Sequence, residues 1–427
     1  MNKFVSSIKV YFARKILIIL LLGFASGMPL ALTASVLKVW LLENGIDIKT
    51  IGLFALVGLP YTFKFAWAPL IDNLKIPVLH KLGRRRSWLI VTQFGLMFCL
   101  VGLGYYGTIG DLGYVSFYAV LTAFFSASQD IVIDAYRVES LREDEQGAGA
   151  GIYIYGYRVA MLISGAGSLF LAEIMDWGFV YLVMSGIVAL TSLVTIIAKE
   201  PLIKIRERKD ETFFDWLKKS IIEPFADFIK KDYWLVILLF IVFYKFCDAF
   251  AGNLTSTFLR DIGFEKSQIA MVFKTFGLVA TLIGVLVGGL IVKSISLIKA
   301  LWIGAILQAI SNLIFVLQAS IGANIKYLFL TVSVENLTSG IGTSIFLAYL
   351  ATLCNKKYTA TQYALLTSFA VVGRTFLASS AGYFVAILGW ERFFIFTTFM
   401  AIPSLIFLCW MTRCLNCKKV KLKIENS

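Results

Sequence analysis

Windows of about 20 apolar residues, the length a helix needs to cross a hydrocarbon core, recur twelve times along the chain. Residues 16–39, 50–71, 87–106, 115–138, 147–171 and 179–198 form one set of six predicted helices. Residues 233–259, 268–292, 297–318, 325–350, 361–387 and 393–412 form the other. Between the sets runs a charged stretch, Lys199 to Asp232. There Phe213, Leu217, Ile221, Phe225 and Phe228 recur at helical spacing against Lys218, Lys219 and Lys230. That periodicity predicts an amphipathic helix on a membrane surface; a solvated linker is the competing reading.

The second set repeats the first. Gln146, Gly147 and Ala148 open span five, and Arg158 follows Gln146 at a spacing of 12 residues; Gln362, Tyr363 and Ala364 open span eleven, and Arg374 follows at the same spacing. Glu43-Asn44-Gly45-Ile46 before span two returns as Asp261-Ile262-Gly263-Phe264 before span eight. Six helices duplicated in one orientation predict an N-terminal bundle over 1–198, a cytoplasmic linker over 199–232 and a C-terminal bundle with a short tail over 233–427. The plan, an all-α membrane protein with twelve transmembrane helices in two six-helix bundles, resembles the major facilitator fold, in which the bundles rock about a midplane site.

Composition agrees with this pattern. Hydrophobic residues make up 59% of the chain and charged ones 15%, against about 25% charged in soluble proteins. The net charge of +14 is explained by topology rather than by nucleic acid, because no basic patch interleaves with aromatics on a soluble module. Lys and Arg crowd the N-terminal tail, the loop after span two (Lys75, Lys81, Arg84, Arg85, Arg86), the central stretch and the C-terminal tail. The opposite connections hold only Lys38, Lys49, Arg260, Lys266, Lys326 and Arg392. Both termini are therefore expected in the cytoplasm. The basic start before Ile16 imitates a signal peptide, yet the apolar run that follows is too long for one and reads as an uncleaved first helix. Of six cysteines, Cys409, Cys414 and Cys417 cluster near the C-terminus, but the sole histidine, His80, is remote, and no metal centre is expected. No nucleophile-base pair and no phosphate-binding Gly-Lys-Ser loop appears, so the chain is read as no enzyme and as needing no cofactor.

Between spans two and three stands "APLIDNLKIPVLHKLGRRRSW", with Asp72 followed by Gly83, Arg84, Arg85 and Arg86. It resembles the superfamily's loop motif of an acid, a turn, Gly and basic residues, here with a longer insert. Together with "GFASGMPLALT", "SASQDIVIDAYR", "EQGAGA", "ENLTSGIGTS" and "TQYALLTS", the chain from about residue 14 to 400 resembles the muropeptide permease (AmpG) family. That resemblance implies import of anhydro-muropeptides across the bacterial inner membrane together with protons.

Asp130 and Asp134 share one face of span four with Arg137. A charge near a helix centre costs roughly 2.5–3.5 kcal/mol on insertion scales, so such residues face protein or water. Asp134 lies level with the basic loop and is expected to latch a gate by pairing with Arg84, Arg85 or Arg86, with Asp72 in the same gate. Asp130 lies deeper, and aligning Ala135-Tyr136 with Ala348-Tyr349 gives it Thr343 as counterpart. A charge present in one half only suggests a specialised task, so Asp130 is the expected proton-coupling acid; a fixed pair with a neighbouring Lys or Arg is the alternative. Glu335 is the second candidate for the proton. Asn336, Gln129, Tyr153, Arg158 and Arg374 are the candidates for substrate, the two arginines near the midplane suiting a bidentate grip on carboxylates. For Glu335 and Asn336 polar packing between helices stands as an equal reading, for Arg158 and Arg374 bracing of the bundles, and for Tyr153 with Tyr157 an aromatic packing stripe. Lys245 and Asp248 are expected to pair; Lys64 and Lys274 either snorkel or complete a buried pair. Gly23 with Gly27, Gly147 with Gly151 and Gly284 with Gly288 mark close helix contacts.

The resulting expectation is a monomeric, proton-coupled importer of anhydro-muropeptides working by alternating access, with substrate, protons and the bilayer as its partners. A carrier of another large anion such as an acyl-CoA, and a non-transporting membrane sensor, stand as alternatives.

Overall fold

In lipid each backbone N–H and C=O has to be satisfied within its own segment, and the apolar windows accordingly fold as helices. The computed structural model describes residues 9–201, 213–252 and 254–425. The side chains of Ile48, residues 213–219, Lys266, Lys274, Arg374 and residues 414–425 lie outside that description. Every regular element among the described residues is helical.

The helices that matter below are α1 (Arg14–Ala31), α2 (Ala68–Asn73), α3 (Arg84–Ile109), α4 (Leu112–Ser140), α5 (Gln146–Leu162), α6 (Trp177–Ile197) and α7 (Phe213–Ile229). After them come α8 (Trp234–Tyr244), α9 (Phe246–Gly252), α10 (Leu278–Ser294), α11 (Leu297–Ile321), α12 (Ile325–Leu353), α13 (Thr359–Ala378), α14 (Ala381–Phe399) and α15 (Ile402–Glu425). Nine stretches among the described residues are long and apolar enough to cross a membrane, and the protein is a multi-pass membrane protein. Expected spans two, ten and eleven fall short of that measure. Span two is divided into short pieces, with Pro60 and Pro69 in the first turns of Leu59–Phe63 and α2, where a missing N–H costs nothing. Spans ten and eleven are the continuous helix α12 and the helix α13 with the start of α14, and they carry Glu335, Asn336, Arg374 and many hydroxyls. The turn between expected spans eleven and twelve falls at Gly389, whose φ of 71° interrupts α14 and suits a residue without Cβ.

The chain divides into two compact units. One holds Lys9–Phe228 and Ala351–Ser368; the other holds Ile229–Leu350 and Phe369–Ser427. In the first, Met28, Leu32, Trp40, Leu96, Leu103, Tyr181 and Met184 form the core. Helices α1 and α5 approach so closely that a Cβ on Gly23 or Gly27 would meet the backbone of Tyr153 or Tyr157, as the glycine spacing predicts. The second unit packs on aromatic rings: Phe315 stacks on Phe394 at 4.9 Å and Phe250 on Phe393 at 5.6 Å.

Candidate functional site

Three acids and three arginines meet where α2, α3, α4 and the start of α13 converge within the first unit. Asp72, in the last turn of α2, is buried and accepts from Arg85 Nη2 at 2.7 Å. It also accepts the backbone N–H groups of Ala360 and Thr361, at 3.2 and 2.7 Å, and the Thr361 hydroxyl at 2.8 Å. Its carboxylate therefore sits on the N-terminus of α13, where unpaired N–H groups and the helix dipole favour an anion. Arg85 is fully buried and is shared with Glu139, donating at 3.1 Å from Nε and 2.5 Å from Nη2. Arg84 joins the same acid at 2.9 Å and donates to the Asp72 carbonyl at 3.1 Å. The Arg86 guanidinium meets no acid among the described residues: it donates to the carbonyls of Thr195 and Ile196 at 3.0 and 2.6 Å, closing the C-terminal turn of α6. Glu200 answers from the other side, accepting the backbone N–H groups of Arg85 and Arg86 at 2.8 and 3.1 Å.

The partner expected for Asp134 needs correcting. Asp134 pairs with Lys64 at 3.9 Å and Arg137 at 3.6 Å, not with Arg84, Arg85 or Arg86. The acid that serves those arginines is Glu139, five residues further on and so about 7.5 Å nearer the end of α4.

Deeper in the unit, Asp130 is 7% exposed and accepts a short hydrogen bond from the Ser26 hydroxyl of α1. Ser26 Oγ in turn lies 2.8 Å from the Tyr153 hydroxyl. Asp130 has no ion-pair partner among the described residues. Two turns further on, the guanidinium of Arg137 is completely buried between two rings, 5.8 Å from the centre of Tyr153 and 5.2 Å from that of Tyr363. It donates to the Tyr363 hydroxyl at 2.6 Å, while its Nε and Nη1 find no acceptor among the described residues.

Three expected substrate contacts are engaged elsewhere. Gln129 is fully buried and its amide donates to the Ala25 carbonyl at 2.9 Å. That carbonyl stands four residues before Pro29, inside α1, and a proline leaves it without its helical donor; Gln129 supplies the missing bond with its Nε2, while its Oε1 has no partner among the described residues. Tyr153 is occupied by Ser26. Asn336 accepts from Thr281 Oγ1 at 3.0 Å and donates to Glu335 at 2.7 Å, which joins α10 to α12 as polar packing. Arg158 is exposed and makes no ion pair or hydrogen bond among the described residues. Arg374 lies on α13, and its side chain, like that of Lys274, is outside the described residues.

In the second unit Lys245 donates to Asp248 at 2.6 Å, as expected, and the Ser339 hydroxyl donates to the same carboxylate at 2.8 Å. Glu335 lies within Coulombic reach of both charges.

Sequence reading missed Glu139, Glu200, Thr361 and the role of the linker. Helix α7 grips the residues around the start of α13: Tyr358 donates to Glu223 at 2.6 Å, and Asn355 and Gln362 donate to Asp227 at 3.1 and 2.8 Å. Glu223 and Asp227, four apart and so on one face of this helix, were the available signal. Of the expected amphipathic stretch, Phe213, Leu217, Lys218 and Lys219 lie outside the described side chains.

A family model described as Major Facilitator Superfamily matches residues 19–251. The anhydromuropeptide permease of Escherichia coli K12 is 42% identical over 393 residues, covering 92% of this chain and 78% of that protein. Among solved structures, the human organic anion transporter MFSD10 superposes with a TM-score of 0.69 at 14% identity, covering 92% of this chain and 99% of that one. The fucose:proton symporter FucP of Escherichia coli gives 0.67 at 12% identity, with 92% and 98% covered. At such identities the likeness to solved structures speaks for the fold alone.

Proposed function

We propose, because this chain belongs to the anhydromuropeptide permease family of the major facilitator superfamily, that it imports anhydro-muropeptides across the bacterial inner membrane in symport with protons. It is a transporter and not an enzyme. In this reading the protein acts as a monomer by alternating access, both termini face the cytoplasm, and the latch at Asp72 lies on the cytoplasmic side.

One observation carries the coupling. Asp134 is held by Lys64 and Arg137, whereas Asp130, one turn away and equally enclosed, accepts from the Ser26 hydroxyl and makes no ion pair among the described residues, Lys64 acting on it only from beyond ion-pair distance. A buried carboxylate with no directly paired cation is costly, and a bound proton removes that cost; Asp130 is therefore the group through which proton binding biases the cycle. Glu335 beside Lys245 and Asp248 is the second acid in this reading. Arg158, exposed and unpaired, is the cation left to grip a carboxylate of the substrate. Opening the cytoplasmic side then requires Asp72 to release the N-terminus of α13, with Arg84 and Arg85 retained by Glu139.

The test is uptake of labelled anhydro-disaccharide tripeptide into vesicles holding the protein, with and without an imposed proton gradient. The expected result is accumulation that needs the gradient and collapses with a protonophore. Uptake indifferent to the gradient would overturn the coupling. Failure to take up the tripeptide by vesicles that do take up an acyl-CoA would overturn the substrate class.

A further inference from the structure

Arg14, Lys15, Tyr136, Ser140, Lys199 and Glu200 surround a cavity of about 300 Å³ in the first unit, apart from the latch and from Asp130. Its charges are unequally engaged. Lys15 is taken by Glu145, and Glu200 is spent on the backbone N–H groups of Arg85 and Arg86. Arg14 and Lys199 are exposed and have no ion pair or side-chain hydrogen bond among the described residues, so the cavity presents two unpaired cations against the one carboxylate of Glu200 and is net positive. It also opens beside the first turn of α1, which no side chain caps, adding the positive end of that helix. The Ser140 hydroxyl, buried and without a hydrogen-bond partner among the described residues, adds a donor for an oxygen atom, while the Tyr136 hydroxyl donates to the Lys199 carbonyl at 2.9 Å.

We infer that this cavity binds the phosphate of an anionic phospholipid headgroup. Two cations and a helix N-terminus fit one phosphodiester, with the arginine able to meet two of its oxygens. What selects a lipid over free phosphate is the surface next to the cavity. Ile18 lines the cavity itself; Leu17 and Leu21 of α1 are 42% and 47% exposed, and Ile196 and Ile197, at the end of α6 just before Lys199, are 57% and 58% exposed. Those apolar faces, set one turn from the cations, give acyl chains a place to lie while the headgroup is held. Basic pockets at the membrane edge between transmembrane helices have this combination of features.

Native mass spectrometry of the purified full chain, titrated with phosphatidylglycerol or phosphatidylcholine in detergent, tests the inference. One phosphatidylglycerol is expected to bind at least tenfold more tightly than phosphatidylcholine. R14Q/K199Q should lose that preference to within twofold, R14K/K199R should keep it, and K81Q, with its charge removed away from the cavity, should keep it too. Regained preference in R14K/K199R separates a lost charge from a lost fold. Undiminished preference in R14Q/K199Q overturns the site. Full displacement of phosphatidylglycerol by millimolar inorganic phosphate overturns the lipid assignment in favour of a soluble phosphate.

Discussion

Asp72 and Thr361 are bound twice over: the Thr361 backbone N–H and its hydroxyl both donate to Asp72 Oδ2, at 2.7 and 2.8 Å. The same carboxylate is paired with Arg85 through its other oxygen. Asp72→Asn removes the charge from an arginine that is fully buried and from a helix N-terminus. Breaking a buried pair by removing one partner costs about 3–5 kcal/mol, and here Glu139 still holds Arg85, which places the effect toward the lower end. The expected outcome is a loosened start of α13. Thr359 is fully buried; a cysteine placed there should react with a maleimide at least threefold faster in the Asp72→Asn background, as read by peptide mapping. Equal rates in the two backgrounds would show that Asp72 does not hold the segment.

Gln129 and Pro29 form a second coupled pair, through the Ala25 carbonyl. Gln129→Leu leaves that carbonyl buried and unpaired, at a cost of about 1–3 kcal/mol. Pro29→Ala restores the helical donor, so the double variant should recover most of what Gln129→Leu loses. A double-mutant cycle on the detergent melting temperature checks this; strictly additive losses would mean the two residues act separately.

These two pairs show what the amino-acid sequence makes legible. Asp72 and the run Gly83 to Arg86 stand in a local motif, and the structure does bring Asp72, Arg84 and Arg85 together, because a chain turn joins α2 to α3. Thr361 is remote from that turn in sequence and gives no local sign of its partner. Glu139 was readable in principle: three adjacent arginines at a membrane edge need acids at their own level, and the end of α4 offers one about 7.5 Å beyond Asp134. Periodicity placed both aspartates on one face but carried no depth finer than a turn, and so gave Asp134 the task of Glu139. The hydrogen bond of Gln129 was hidden for a different reason: the proline that leaves a carbonyl without its donor lies on another helix.

The α1–α5 seam yields a prediction of packing. A Cβ on Gly27 would meet the carbonyl and Cα of Tyr157, which are backbone atoms and have little room to yield. Overpacking of this kind costs about 1–3 kcal/mol. Gly27→Ala should therefore lower the melting temperature. Gly186→Ala in α6, where nothing lies within 4 Å, should leave it unchanged or raise it. The same loss in both variants would argue that intrinsic helix propensity, not close approach, governs these glycines.

Asp47 caps the helix Ile48–Leu53, accepting from the N–H groups of Lys49 and Thr50 and from the Thr50 hydroxyl. The Thr50 hydroxyl first, and then the backbone N–H groups, hold its carboxyl below the usual carboxylate range. A depressed folded-state value means the cap contributes above the unfolded-state value, about 3.9, and is lost as pH falls through the folded one. Amide exchange at residues 49–53 is expected to stay slow from neutral pH down past pH 5, relative to Asp47→Ala, and to converge with that variant only below the ordinary carboxylate range. Convergence already at pH 6 would rule out the cap as the source of protection.

Asp130→Asn separates coupling from binding. Asparagine keeps the size of the side chain and can still meet Ser26 and, through it, Tyr153, while Asp134 retains Lys64 and Arg137. No ion pair is broken, because Asp130 makes none among the described residues, and the fold should survive with its melting temperature within a few degrees. What changes is that the site can no longer take up or release a proton. Uphill uptake in vesicles is therefore expected to fall to the level seen without a gradient, at least tenfold, whereas exchange of labelled for unlabelled substrate down equal concentrations continues. External pH should also cease to alter the exchange rate in this variant. Glu335→Gln provides the comparison: if it abolishes gradient-driven uptake and Asp130→Asn does not, the proton is carried in the second unit, beside Lys245 and Asp248, and the role assigned to Asp130 falls.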